Sequence, residues 1–121
     1  MIQTLTIPDW HPKWNPNGTG NRSHWAVLGK VKKADEMMTW ASCKQAGWQP
    51  VEGRAKLIVT FVYPRKYRID TDNCYARVKG MVDAVVRGGW VKDDSTDWLK
   101  LDVDVVIEPG VRAMRLQLEP I

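Results

Sequence analysis

Apolar and polar residues alternate without a break near the C-terminal end of the chain. Leu99, Leu101, Val103, Val105 and Ile107 fall on one face, and Lys100, Asp102 and Asp104 on the other. A period of two predicts a strand over 98–107. Another is expected over 53–63, where Leu57, Val59, Phe61 and Tyr63 alternate with Lys56, Ile58, Thr60 and Val62. Both of its faces are largely apolar towards the end, which suits a central strand. Ile2 to Ile7 reads as a short strand and Ala113 to Leu118 as a final one. Pro109-Gly110 fits the middle of a type II turn, so the last two strands are expected to close a hairpin. Two stretches carry the helical period instead. Ser23 is a plausible N-cap for a helix to about Gly47, with Trp25, Leu28, Val31, Met38 and Ala41 as apolar positions and Lys30, Lys32 and Lys33 mostly on another face. A second helix is expected from near Asp72 to the Gly88-Gly89 stop, with Tyr75, Val78, Val82, Val85 and Val86 as its stripe. Pro8 to Arg22 is rich in Pro, Asn and Gly and reads as a long loop. The order β-α-β-α-β-β predicts an α/β (α+β) fold: one small domain over residues 1–121, with a mixed sheet and two helices.

Composition narrows the class. With 121 residues and 44% hydrophobic content, the chain can bury one core without disulfides. No apolar run approaches the roughly 20 residues that span a bilayer, so no membrane association is expected. The start MIQTLTIPDW does not read as a secretory signal, which makes a cytoplasmic location the expectation. Cys43 and Cys74 are too few for a disulfide framework or a structural zinc site, and read first as small hydrophobes. A formal charge of +4 is compatible with a polyanionic partner but does not demand one. Seven tryptophans could fill the core or stack on bases, and core packing is the first expectation.

The most informative segment is Ile69-Asp70-Thr71-Asp72-Asn73, two acids at a loop-to-helix junction. Helix capping explains one aspartate easily and two tolerably. Hard oxygen ligands at a loop end are also what Mg²⁺ requires, usually one or two carboxylates completed by waters and substrate phosphate. Asp72, Lys79 and Asp83 lie within about 40° of one another on one helix face, beside the apolar stripe. A plain salt bridge between Lys79 and Asp83 is the competing account. Asp93-Asp94, after the Gly-Gly stop, is ordinary turn chemistry taken alone. The intervening helix is about four turns long, so this turn meets Asp70 and Asp72 only if the chain doubles back along it. Directly upstream, Arg65, Lys66 and Arg68 form a basic loop. Cations that hold phosphate beside acids that hold metal suit phosphodiester cleavage, and a solvated loop is the alternative.

Arg68-x-Asp70-x-Asp72-Asn73, then Lys79, Asp83, a glycine, an apolar pair and Asp93-Asp94 resemble the RusA-type Holliday-junction resolvases. Asn17-Gly18 and Asn21-Arg22-Ser23-His24-Trp25, opening a lysine-rich helix, resemble the start of phage-borne members. The gap between Asp72-Asn73 and Lys79 is about one helical turn longer than in the shorter bacterial form, as in a longer family variant. The resemblance implies a RusA-like fold and a homodimeric, Mg²⁺-dependent (or Mn²⁺-dependent) endodeoxyribonuclease. It would bind four-way or branched DNA and nick two opposing strands symmetrically, in recombination or repair. Asp70, Asp72 and Asp94 match the essential acids, which would hold the metal, and Lys79 matches the catalytic lysine. Asp93 and Asp83 are possible additions. Arg65, Lys66, Arg68, Lys30, Lys32 and Lys33 are the candidate DNA contacts. The reading from another class is a non-catalytic dimeric junction-binding protein, which would keep the basic residues and need no acids.

Overall fold

The computed structural model describes residues 1–8, 25–64 and 71–121. Six elements follow in the expected order: β1 (Gln3–Pro8), α1 (Trp25–Gln45), β2 (Ala55–Tyr63), α2 (Thr71–Arg87), β3 (Leu99–Ile107) and β4 (Ala113–Pro120). They build a four-stranded mixed sheet of order β1-β4-β2-β3. β2 is parallel to β3 and antiparallel to β4, which is in turn antiparallel to β1. β1 and β2 therefore also run parallel, and each is followed by a crossover helix. Both crossovers move the same way along the sheet. With the usual right-handed connection they lie on one face, where α1 and α2 pack together as parallel neighbours.

β2 is central, as its two apolar faces required. Leu57, Val59 and Phe61 face the helices and lie opposite Leu118, Leu116 and Met114 of β4 and Leu101, Val103 and Val105 of β3. These residues, with Val78, Met81, Val82 and Val85 of α2, form the core. The opposite face, with Lys56, Ile58, Thr60, Arg115 and Gln117, is half-buried. No helix among the described residues is long and apolar enough to cross a membrane.

Two expectations are corrected. β3 and β4 do not form a hairpin, although the turn between them is type II. Gly110 has φ 76°, and the Val111 N–H donates to Glu108 O at 3.0 Å. The Glu108 N–H donates to Tyr63 O, so the turn passes over the end of β2 and β4 returns on its far side. Alternation specifies which face of a strand is buried, not which strand is its neighbour. Placed between β1 and β2, β4 closes over core residues that a β3–β4 hairpin would leave at an edge. Glu108 and Arg115 pair across this connection, and the Arg115 hydrogen bond holds the Glu108 carboxyl below its usual range.

The second correction concerns α1. Ala41 is exposed, and the described buried positions are Asp35, Thr39 and Cys43, with Met38 half-buried. These three stand at i, i+4 and i+8 on one face of α1. Burial pushes the Cys43 thiol up to about 12, so it is a packing residue rather than a nucleophile.

Both helices end in the same device. Gly47 and Gly89 take φ 73° and 79°, and the next residue is a tryptophan that donates back into the last turn: Trp48 N–H to Cys43 O and Trp90 N–H to Val85 O, each at 3.1 Å. The two indoles then link the helix ends. Trp90 Nε1–H donates to Trp48 O at 2.9 Å, and Trp48 Nε1–H reaches Thr4 O of β1 at 3.4 Å. Both rings are buried, as expected for core tryptophans, whereas Trp40 on α1 is largely exposed.

Candidate active site

The crossover topology sorts the candidate residues by the end of the sheet at which they lie. Each helix starts at the C-terminal ends of the parallel strands and runs back towards their beginnings. Asp72, in the first turn of α2, therefore sits at the C-terminal end of β2. The start of α1, with Lys30, Lys32 and Lys33 within its first three turns, lies towards the same end, and Lys33 is exposed. Arg65, Lys66, Arg68 and Asp70 lie outside the described residues, in the connection between β2 and α2. In the chain this connection starts from the end of β2 and Asp70 immediately precedes α2. Among the described residues, the starts of both helices thus lie towards one edge of the sheet, where ligands of open α/β sheets commonly bind.

Lys79 is exposed on the outer side of α2, about 10 Å along the axis from Asp72. Its neighbours Val78, Gly80, Met81 and Val82 are buried, so the lysine stands at the boundary of the core. Asp83, one turn on, is partly buried on the same outer face. α2 runs continuously through Asp72, Lys79 and Asp83.

The Asp93-Asp94 turn lies at the other end. Val51 N–H donates to Trp90 O and Ala55 N–H to Trp98 O, both at 2.9 Å, which fastens residues 90–98 beside the beginning of β2. From Asp72 to Gly88 the helix rises about 24 Å, and the chain reaches Asp94 without returning along it. Asp93 and Asp94 are both exposed, and the Asp93 carboxylate accepts the Asp94 N–H at 2.8 Å. No group of three His, Cys, Asp or Glu residues able to hold a metal ion occurs among the described residues. Within one chain, then, Asp72 and Asp94 stand at opposite ends of α2.

The anchor of the Asp94 turn is a feature that candidate chemistry did not single out. A Cβ on Gly88 would lie 2.1 Å from the Trp90 ring, so the indole occupies the space beside the glycine that a side chain would fill. Lys92 Nζ stands 4.7 Å from the centre of the Trp98 ring, joining the two flanks of the turn. The Gly-Trp pair after each helix, Gly47-Trp48 and Gly89-Trp90, is the signal that could have revealed this anchor.

The fold is a two-layer α+β domain in which two crossover helices cover one face of a four-stranded mixed sheet. The family model of endodeoxyribonuclease RusA matches residues 8–112, and the chain belongs to that family. An uncharacterized protein of Xylella fastidiosa (strain Temecula1 / ATCC 700964) is 35% identical over 90 residues, 70% of this chain and 56% of that protein. The chain thus spans a little over half the length of that relative.

Proposed function

We propose that this chain is a divalent-metal-dependent endodeoxyribonuclease that resolves four-way or otherwise branched DNA by paired, symmetric nicks, acting as a homodimer in recombination or repair. The observation that carries the reading is the match to the RusA family, and it is supported by the start of α2, with Asp72, standing at the C-terminal end of β2.

The donor set fits a hard cation. Two carboxylates in alternate positions, completed by waters and a DNA phosphate, are a normal complement for Mg²⁺ or Mn²⁺. Asp70 and Asp72 would hold the ion and Asp94 would complete the set. When bound, the cation supplies Lewis-acid polarisation of the phosphate and lowers the pKa of the attacking water. Asp94 cannot reach the ion held by its own Asp72, because about 24 Å of helix separates them and metal–oxygen bonds are about 2 Å. The third acid therefore comes from a second copy. A two-fold axis places each copy's Asp94 beside the other's Asp70 and Asp72, giving two equivalent sites and hence two symmetric cuts.

Lys79 contributes positive charge where the phosphate becomes more negative in the transition state. Asp83 keeps that lysine oriented, and Asp93 holds the Asp94 backbone through its carboxylate. Arg65, Lys66, Arg68, Lys30, Lys32 and Lys33 would bind the phosphates of the junction arms. Affinity should accordingly fall steeply as salt rises.

Labelled synthetic four-way junction and linear duplex, incubated with purified protein in Mg²⁺ or EDTA, test the proposal. Paired nicks on the junction, absent with EDTA and absent on duplex, are expected. A junction retarded in gels yet uncut in Mg²⁺ would instead identify a non-catalytic binding protein.

A further inference from the structure

β3 closes one side of the sheet. Among the described residues it pairs only with β2, so no strand covers its outer edge, and at its start the Leu99 N–H donates to Ser95 O. The phase of that edge can be read from the hydrogen bonds at its ends. Trp98 O and the Glu108 N–H point towards β2, so the even-numbered residues between them serve that ladder. The odd-numbered residues Leu101, Val103, Val105 and Ile107 turn their backbone groups outward. Of these, the Val105 N–H is taken by the Asp104 carboxylate of its own strand at 2.8 Å. No proline or glycine interrupts the strand, and Ile107 is 47% exposed. A long, regular, open edge of this kind is a template for a further strand.

We infer that β3 pairs antiparallel with β3 of a second copy, with Asp102 on the two-fold axis, so that the two sheets join into one. This rests on the shared-site reading given above and identifies the surface that builds it. Three observations support it.

The first is charge. In this register Lys100 of each copy faces Asp104 of the partner subunit, twice by symmetry. Lys100 and Asp104 are both exposed in the single chain. Opposite charges directly across an antiparallel pair are favourable. The two Asp102 carboxylates face each other on the axis, which is unfavourable alone, but each lies 3.4 Å from Lys56 of its own chain.

The second is the backbone. Only odd-numbered residues present outward groups, and this register places odd opposite odd. Leu101 exchanges hydrogen bonds with the partner's Val103, and the Val105 N–H meets the carbonyl of the partner's Leu99, whose own N–H stays with Ser95 O. The Val105 N–H then finds a carbonyl across the seam, which releases Asp104 to meet the partner's Lys100. Core-facing side chains stay on the core face, because the pleat is preserved.

The third is placement. Asp94 lies five residues before Leu99, at the beginning of β3, whereas Asp72 lies at the end where β3 finishes. Antiparallel pairing brings the beginning of one β3 alongside the end of the other. It carries the partner's Asp94 to the edge of the sheet that holds Asp72. A parallel or back-to-back arrangement does not.

Site-directed cross-linking tests the seam. Asp102 lies in a pair that exchanges no hydrogen bonds, where Cα atoms stand about 4.5 Å apart, within disulfide range. In a Cys74→Ser background, Asp102→Cys protein should form a disulfide-linked dimer on mild oxidation. Lys100→Cys and Asp104→Cys should each fail alone and cross-link when mixed. Unchanged far-UV circular dichroism confirms that the variants fold. A dimer by light scattering that never cross-links at Asp102 overturns the seam. Loss of the seam with intact rescue between subunits bearing different acid substitutions leaves the shared site standing. A strictly monomeric protein that cuts junctions removes both.

Discussion

Asp72→Asn protein will bind a four-way junction and leave it uncut. Removing one metal-holding carboxylate forfeits several kcal/mol of transition-state stabilisation, on the order of a thousandfold in cleavage rate. The fold should not suffer, because Asn is isosteric with Asp and also caps a helix start. Affinity should hold or improve, since a negative charge near the DNA phosphates has gone. Gel retardation and single-turnover cleavage on one preparation measure both quantities. Normal cutting by this variant would remove Asp72 from the site.

The second large effect lies far from Asp72. Trp90→Ala empties a buried site against Gly88 and leaves Trp48 O without its indole donor. Truncating a buried tryptophan costs about 3–5 kcal/mol. For a domain of this size that is a fall in Tm of roughly 15–20 °C, readable by thermal circular dichroism. Trp90→Phe keeps most of the packing and loses the hydrogen bond, so it should cost only about 1 kcal/mol. Because Trp90 fastens the turn bearing Asp94, Trp90→Ala protein that remains folded at low temperature should also cut slowly. A Trp90→Ala variant as stable as the parent would contradict the anchoring role.

Much of the fold was legible along the chain because local patterning determined it. The strand period of 99–107, the glycines that stop both helices and the proline-glycine turn at 109–110 each follow from backbone and burial preferences. The position of β4 was not legible, because its alternation reads identically whether its neighbour is β3 or β2. The buried face of α1 was missed for a different reason. Asp35 and Thr39 are buried where apolar residues would be expected, in line with Cys43, so hydrophobic periodicity does not mark that face.

The candidate site divides in the same way. Asp72, Lys79 and Asp83 were related by helix phase, and one helix carries all three. Asp94 was related to them only by resemblance, and one chain sets it at the far end of α2. No sequence pattern within a chain encodes a contact that two copies make.

Subunit mixing tests the shared site most directly. Asp72→Asn and Asp94→Asn proteins, each inactive alone, are unfolded together, refolded and assayed on labelled junction. In a mixed dimer, one site carries both substitutions and the other carries neither. Random pairing then leaves about a quarter of all sites intact, and single nicks should return at about that fraction of the parental amount. If each chain builds its site alone, every site in the mixture carries one substitution. Cutting would then stay absent at every mixing ratio, and that result would contradict the shared site.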